Sequence, residues 1–158
     1  MATVSVNKKQ AGGYRREGLM CVITGCIEFS SRGNADIVKI TDDVTEAIAQ
    51  AGLRDGTVTV FAPGATGAIT TIEYEPGVVQ DLQRVLDEIV SPERVWQHNI
   101  NNGDGNGHSH VRAGLLGPSL TIPFVDGKMT LGRWQEIVFC DLDARPRERK
   151  VVVQVMGV

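Results

Sequence analysis

The segment GDGNGHSH, residues 103–110, places polar side chains at every second position of a glycine-rich stretch. These side chains are Asp104, Asn106, His108 and His110. In an extended chain, side chains two residues apart lie on one face, with Cα atoms about 6.6 Å apart. An extended segment would therefore present two imidazoles to one ion, and imidazole is a ligand of zinc, copper, iron and nickel.

The same segment supports two other interpretations. Glycine-rich backbone can turn its amides into an anion-binding nest, which would hold a phosphate. The residues expected to line such a nest are Asp104, Gly105, Asn106 and Gly107. The remaining alternative is a glycine-rich turn that leads into a strand and carries surface histidines. His98 lies ten residues upstream of His108. This clustering favours a site, and we expect His98, His108 and His110 to be metal ligands.

Two further residue types could supply catalysis. Arg112 lies two positions beyond His110, hence on the same face of a strand, where its guanidinium could bind a phosphate or carboxylate. Glu73 and Glu75 share a face if that strand persists, and a carboxylate is ionised and basic at pH 7. Their simpler interpretation is a solvated strand end. The expected catalytic groups are Glu73, His110 and Arg112.

Trp134 and Gln135, in LGRWQEIV, are weaker candidates for cofactor contacts, since a tryptophan beside a strand more often belongs to a core or interface. Several other site classes are excluded by spacing. An EF-hand loop starting at Asp104 would need Gly at position 109 and Glu at 115, which are Ser and Leu. GDGNG matches neither dinucleotide-binding nor P-loop spacing, and the chain has no serine hydrolase elbow.

Composition narrows the function classes. The chain of 158 residues has a net charge of -3, which gives no electrostatic argument for nucleic acid or an anionic membrane. It lacks an apolar run of roughly 20 residues and the apolar segment of a signal peptide, so we expect a cytoplasmic protein. The three cysteines, Cys21, Cys26 and Cys140, form no CxxC pair, and we interpret them as small buried hydrophobic residues.

Hydrophobic periodicity predicts two main helices. The first follows Thr41 and ends at Gly52, and the second begins after Pro76 and ends before Pro92. Strands are predicted at 19–30, 57–63, 66–74, within 120–132 around an Asp126–Gly127 hairpin, at 136–143 and at 150–158. Short connections favour antiparallel pairing. We therefore expect one compact α+β domain over 19–158, with a mostly antiparallel or mixed sheet, after a flexible segment at 1–18.

Together these motifs resemble the YjbQ-like family, which is labelled "secondary thiamine-phosphate synthase enzyme". The resemblance covers about residues 19 to 157. It rests on the following stretches, in this order: GATGAITTIEYE, DLQRVLDEIVSP, WQHN, GDGNGHSHVRAGLLGPSLTIPFVDGKMTLGRWQEIVFCDLD, and an arginine-rich turn before VVVQVMG. The combination of GDGNGHSHVRAGLLGPS with GxWQ is the specific part.

The resemblance implies an α+β homotrimer with a metal or phosphate site near the histidines, close to a subunit boundary. Its label implies a side activity that joins a thiazole phosphate to an aminopyrimidine diphosphate with loss of pyrophosphate, and leaves the physiological reaction open. Departing pyrophosphate requires cations, which Arg112, a divalent ion such as zinc or magnesium, or both would supply.

His98, His110 and Glu73 match the family's pattern, whereas Gly64 stands where many members have a histidine in a His-Thr-Thr-Ala segment. This departure weakens the expectation of zinc. The sequence thus predicts a small enzyme that binds a phosphorylated metabolite, a divalent metal or both. The alternative is a non-catalytic trimeric binding or scaffold protein with structural histidines.

Overall fold

The structure is a computed structural model that describes residues 18–158. The predicted segment at 1–18 lies outside the described residues except for Gly18. The elements run in the order β1 (Cys21–Ser31), β2 (Asp36–Lys39), α1 (Thr41–Ala51), β3 (Gly56–Phe61), β4 (Gly67–Glu73), α2 (Pro76–Ile89), α3 (Gln97–Asn102), α4 (Gly107–Leu116), β5 (Ser119–Val125), β6 (Lys128–Met129), β7 (Gln135–Asp141) and β8 (Arg147–Gly157). The α+β class is confirmed.

The larger sheet has five strands in the order β1-β8-β3-β5-β6, and each pair of adjacent strands is antiparallel. Its tightest turn is the predicted hairpin, in which Val125 pairs with Lys128. Asp126 and Gly127 adopt φ values of 49° and 74° there. Two consecutive residues with positive φ match the right-handed twist of the flanking strands, which is why this dipeptide fixes the register.

The smaller sheet, β2-β7-β4, is also antiparallel and forms the middle layer of the domain. Ile69, Ile137 and Phe139 on one face join the core beneath the five-stranded sheet and α1. Val138 and Cys140 on the other face pack with residues of α2 and α4. Because β7 is buried on both faces, its sequence is almost continuously apolar rather than alternating.

A buried ion-pair network joins the end of β7 to the larger sheet. Asp141 accepts hydrogen bonds from the Arg149 guanidinium and the Ser31 hydroxyl. Asp143 accepts from Arg147 Nε at 2.9 Å. Charges removed from water require such pairing, so the two arginines at the start of β8 connect the two sheets.

The two helices predicted from periodicity are confirmed as α1 and α2. Gly52 ends α1 with a left-handed φ of 66°, as expected for a C-terminal glycine. The carboxylate of Glu75 accepts hydrogen bonds from the backbone amides of Gly77 and Val78 at the start of α2. The expectation that Glu75 continues a strand face with Glu73 is therefore wrong, because β4 ends at Glu73.

The prediction of an extended chain from residue 104 onward is also wrong. Residues 107–116 form α4, and α3 precedes it, so the described chain has four helices rather than two main ones. The buried side chains of α4 include His108, Ser109, Arg112 and Ala113, which follow a helical period that the alternating polar residues obscure. No helix within 18–158 combines the length and apolarity that a membrane crossing requires.

The cysteines differ from the expectation that all three are buried. Cys140 is buried in β7, whereas Cys21 and Cys26 are exposed on β1. The reason is that β1 is an edge strand whose side chains remain largely exposed within the described chain. Burial raises the pKa of the Cys140 thiol to about 12, which suppresses the reactive thiolate at neutral pH.

This contrast predicts the pattern of alkylation. Iodoacetamide at pH 8 should modify Cys21 in the native protein and Cys140 only after denaturation, as measured by peptide mass spectrometry. Replacement of Cys140 by Ser provides the assignment control. Rapid native modification of Cys140 would contradict the buried position of this thiol.

Candidate functional site

Two of the three histidines meet beside a carboxylate. His98 lies on α3, His110 lies on α4, and Asp104 lies in the loop between these helices. One ligand atom from each of the three side chains lies within 4.8 Å of the others. The imidazole centroids of His98 and His110 are 4.4 Å apart. This cluster has the composition and spacing of a site for a divalent transition metal.

Hydrogen bonds already orient the His98 ring. Its Nε2 lies 3.1 Å from a carboxylate oxygen of Asp104, and its Nδ1 lies 3.1 Å from Nδ2 of Asn102, one helical turn away. A metal-bound histidine donates the N–H of its second nitrogen to an acceptor, so an ion on Nε2 would require Asn102 to turn its Oδ1 towards Nδ1. Asn102 was not among the predicted site residues. It lies four residues after His98, a spacing that brings the two side chains together only in a helix, and α3 was not predicted.

Glycines shape the loop that brings the two helices together. Gly103 and Gly105 adopt left-handed φ values of 72° and 74°. Gly107 donates its amide to Asn99 Oδ1 at 2.7 Å, and a Cβ at position 107 would lie 2.7 Å from the Cβ of Trp96. The glycine-rich character of this segment thus serves a tight α3–α4 connection. The Gly107 amide, expected in an anion nest, is engaged by Asn99.

Arg112 lies on the interior face of α4. Its side chain is fully buried, and Nε and Nη2 donate to the Val90 carbonyl at 3.0 and 2.7 Å. Nη2 also donates to Asp87 at 2.7 Å. The expectation that Arg112 shares a face with His110 is wrong, because residues two apart on a helix point about 200° apart. In this geometry Arg112 connects α4 to the end of α2.

His108 is likewise turned inward and lies outside the metal-type cluster. Its side chain is buried, and its Nδ1 has no hydrogen-bond partner among the described residues. Burial lowers the pKa of the His108 imidazole, and the nearby Arg112 guanidinium lowers it further. Pairing of His108 with His110 on one strand face is therefore a wrong prediction for the same reason as for Arg112.

The other candidates lie at one end of the smaller sheet. Glu73 is exposed at the end of β4 and pairs in register with Gln135. Gln135 accepts from the Gly132 amide and donates to Thr71. Trp134 is 62% exposed. The cluster of possible metal ligands among the described residues does not include Glu73. Roles for Glu73, Trp134 and Gln135 stay predictions.

Gly64, at the position where the resemblance implies a histidine, lies in the exposed connection between β3 and β4. Its φ is 108°, and a Cβ placed there would have no atom within 4 Å. The structure thus leaves open space at this position. The three-residue cluster forms without a side chain at position 64.

The fold and site together define a small α+β domain with a histidine–carboxylate cluster, and comparison with known proteins identifies its family. The sequence profile "UPF0047 protein YjbQ-like" matches residues 26–158. This chain therefore belongs to the YjbQ-like UPF0047 family.

Relatives of similar length support this assignment. A UPF0047 protein of Methanothermobacter thermautotrophicus is 36% identical over 138 residues, covering 87% of this chain and 94% of its own length. The UPF0047 protein YugU of Bacillus subtilis is 30% identical over 133 residues, covering 83% and 97%. The crystal structure of a YbjQ-like protein of unknown function from Sulfolobus solfataricus superimposes with a TM-score of 0.84 at 31% identity, covering 89% of this chain and 100% of that one.

The buried position of His108 predicts a pH-dependent stability. An unfolded histidine has a pKa of about 6.5. Because burial lowers this value in the folded chain, the unfolded state binds more protons below that pH, and stability falls as the pH drops through about 6.5 towards the folded pKa. Urea denaturation of the wild type and His108→Gln between pH 8 and 5 should show a weaker pH dependence in the variant. Parallel curves would contradict this account.

Proposed function

We propose that this chain binds a divalent transition metal through His98, Asp104 and His110, and that the ion holds a phosphorylated small molecule. The observation that carries the proposal is the convergence of two imidazoles and one carboxylate, whose ligand atoms lie within 4.8 Å of one another. Such a set favours zinc, iron or a related ion over magnesium, which prefers oxygen ligands.

The exposure of the cluster supports ligand binding rather than a purely structural ion. The side chains of His98 and Asp104 are 33% and 37% exposed. Structural zinc sites are closed by four protein ligands, whereas catalytic sites keep a position open. The three ligands proposed here leave such a position on the solvent side.

A bound divalent ion would supply positive charge for phosphate oxygens and for a departing pyrophosphate. The chain's own contribution is to orient that ion. Asn102 holds the His98 ring, and the bonds of Arg112 to Val90 hold α4, which carries His110. Because the donors of Arg112 are used internally, we assign anion binding to the ion instead. The transferase reaction that the family label implies would belong to this class of phosphorylated-substrate reactions.

The metal proposal predicts which histidines matter. Zinc-loaded wild-type protein, freed of excess metal by gel filtration, should contain near one zinc per chain by elemental mass spectrometry. His110→Ala and His98→Ala should lose the ion, with affinity lowered by about 100-fold or more, because each removes a direct ligand. His108→Gln is the matched control and should retain zinc, since His108 is buried outside the cluster.

The phosphate part of the proposal has a separate readout. Inorganic pyrophosphate should bind the zinc-loaded wild type in calorimetry and should not bind the metal-free protein or His110→Ala. Zinc binding without pyrophosphate binding would contradict the proposed ligand class and leave the metal site intact. Equal zinc content in wild type, His98→Ala and His110→Ala would contradict the metal site.

We also propose that the chain forms a homotrimer through the outer face of the five-stranded sheet. This face is the one opposite α1, and among the described residues it carries the exposed apolar side chains Val22, Phe61 and Met156, each more than 40% exposed. Val22 and Met156 are cross-strand partners there, and a contiguous exposed apolar patch typically belongs to an interface. A cytoplasmic location and the lack of nucleic-acid or membrane partners stay predictions from composition.

The assembly can be tested on the outer face. Light scattering should give about three times the chain mass of 17.1 kDa for the wild type. Thr59→Arg, at the centre of that face, should dissociate the oligomer because it introduces an unpaired charge. Thr45→Arg on exposed α1 is the control and should leave the mass unchanged. A monomeric wild type would contradict the proposal.

A further inference from the structure

We propose that Asn106 is a fourth ligand of the ion, through the Oδ1 atom of its side-chain amide. This inference rests on the proposed metal site and extends it to a neutral residue that precedes α4. It also bears on the charge of the loaded site, and hence on the ligand that the site accepts.

The position of the Asn106 amide carries the inference. Asn106 is only 7% exposed. The inward-facing end of its amide lies 3.1 and 3.2 Å from the two carboxylate oxygens of Asp104 and 3.2 Å from Nε2 of His98. For an ion with bonds of about 2.1 Å, neighbouring ligands at right angles lie roughly 3.0 Å apart. An amide oxygen at this point is thus spaced from the ligand atoms of His98 and Asp104 as ligands of one ion are.

The same spacing is unfavourable without a cation, because all of these atoms bear lone pairs that face one another. Rotation of the amide by 180° would place Nδ2 at this point, where it would donate to Asp104 and to His98 Nε2. A hydrogen bond to Nε2 occupies the lone pair that an ion requires. We therefore assign the rotated amide to the metal-free protein and the oxygen-inward amide to the loaded one.

The local chain leaves the amide available for this role. Asn106 is the N-cap residue of α4, yet no side-chain hydrogen bond caps the helix. Its backbone carbonyl instead accepts from the amide of Ser109 at 2.9 Å. Coordination by Asn106 would therefore fix the start of α4 to the same ion that His110 binds from the following turn.

The neutral amide has a consequence for the ligand. A divalent ion held by two neutral imidazoles, one carboxylate and one amide keeps a single net positive charge. With four protein ligands, the ion would bind the anion by expanding to five coordination, and its net positive charge favours that step. A second carboxylate at position 106 would bind the ion at least as well but would cancel that charge, so the chain's asparagine favours phosphate binding over maximal metal affinity.

The test compares zinc and pyrophosphate affinities in three variants. Chelator-competition calorimetry with zinc alone should show that Asn106→Ala binds about 10- to 100-fold more weakly than wild type. Asn106→Asp should bind zinc at least as tightly as wild type, and the zinc-loaded Asn106→Asp should bind pyrophosphate more weakly. Asn101→Ala, an exposed neighbour on α3, is the matched control and should match wild type in both titrations.

Cobalt substitution adds a readout of coordination. The visible absorption band of the cobalt-loaded protein should shift in Asn106→Ala and stay unchanged in Asn101→Ala. Unaltered zinc affinity and cobalt spectrum in Asn106→Ala would overturn the inference. Loss of zinc binding in Asn106→Asp would also overturn it. That result would show that the site needs the amide N–H of residue 106 as a hydrogen-bond donor and not its oxygen as a ligand. Absence of zinc binding in the wild type would overturn the metal proposal itself.

Discussion

The buried guanidinium of Arg112 is the interaction on which the site depends. It is a charge removed from water, and its bonds to the Val90 carbonyl and Asp87 are what compensate the loss of hydration. Val90 directly follows α2, so these bonds fix α4 against an element that packs on the smaller sheet. His110 lies on the opposite side of the same helix. The chain thus uses a cation inside the fold to position a ligand outside it.

The parts of the fold that the sequence predicted well are those in which one local rule acts alone. The first two helices have a continuous apolar face and a recognisable start or end, at Gly52 and Pro76. The Asp126–Gly127 turn requires positive φ at both residues, and few other dipeptides tolerate this. In each case a few neighbouring residues determine the conformation, so the local residue pattern was sufficient to predict the element.

The start of helix α4 was interpreted as extended chain because two patterns overlap in GHSHVRAGLL. Polar residues alternate at its start, which is typical of a strand, while the buried positions follow a helical period that includes His108 and Arg112. Arg112 lies inside because the Val90 carbonyl accepts its hydrogen bonds. The residue types therefore identified His98 and His110 correctly as neighbours. The helical conformation of α4 was needed to show that His108 points away from them.

All members of the cluster come from one short loop and its two flanking helices, between residues 98 and 110. A site assembled from distant strands exists only in the native state, whereas ligands so near in sequence remain within reach of one another in the unfolded chain. An ion that also binds the unfolded ensemble stabilises the native state by less than its affinity alone would imply. Capture of the proposed ion would in this way be only weakly coupled to global stability, so its loss would cost the two-sheet core little.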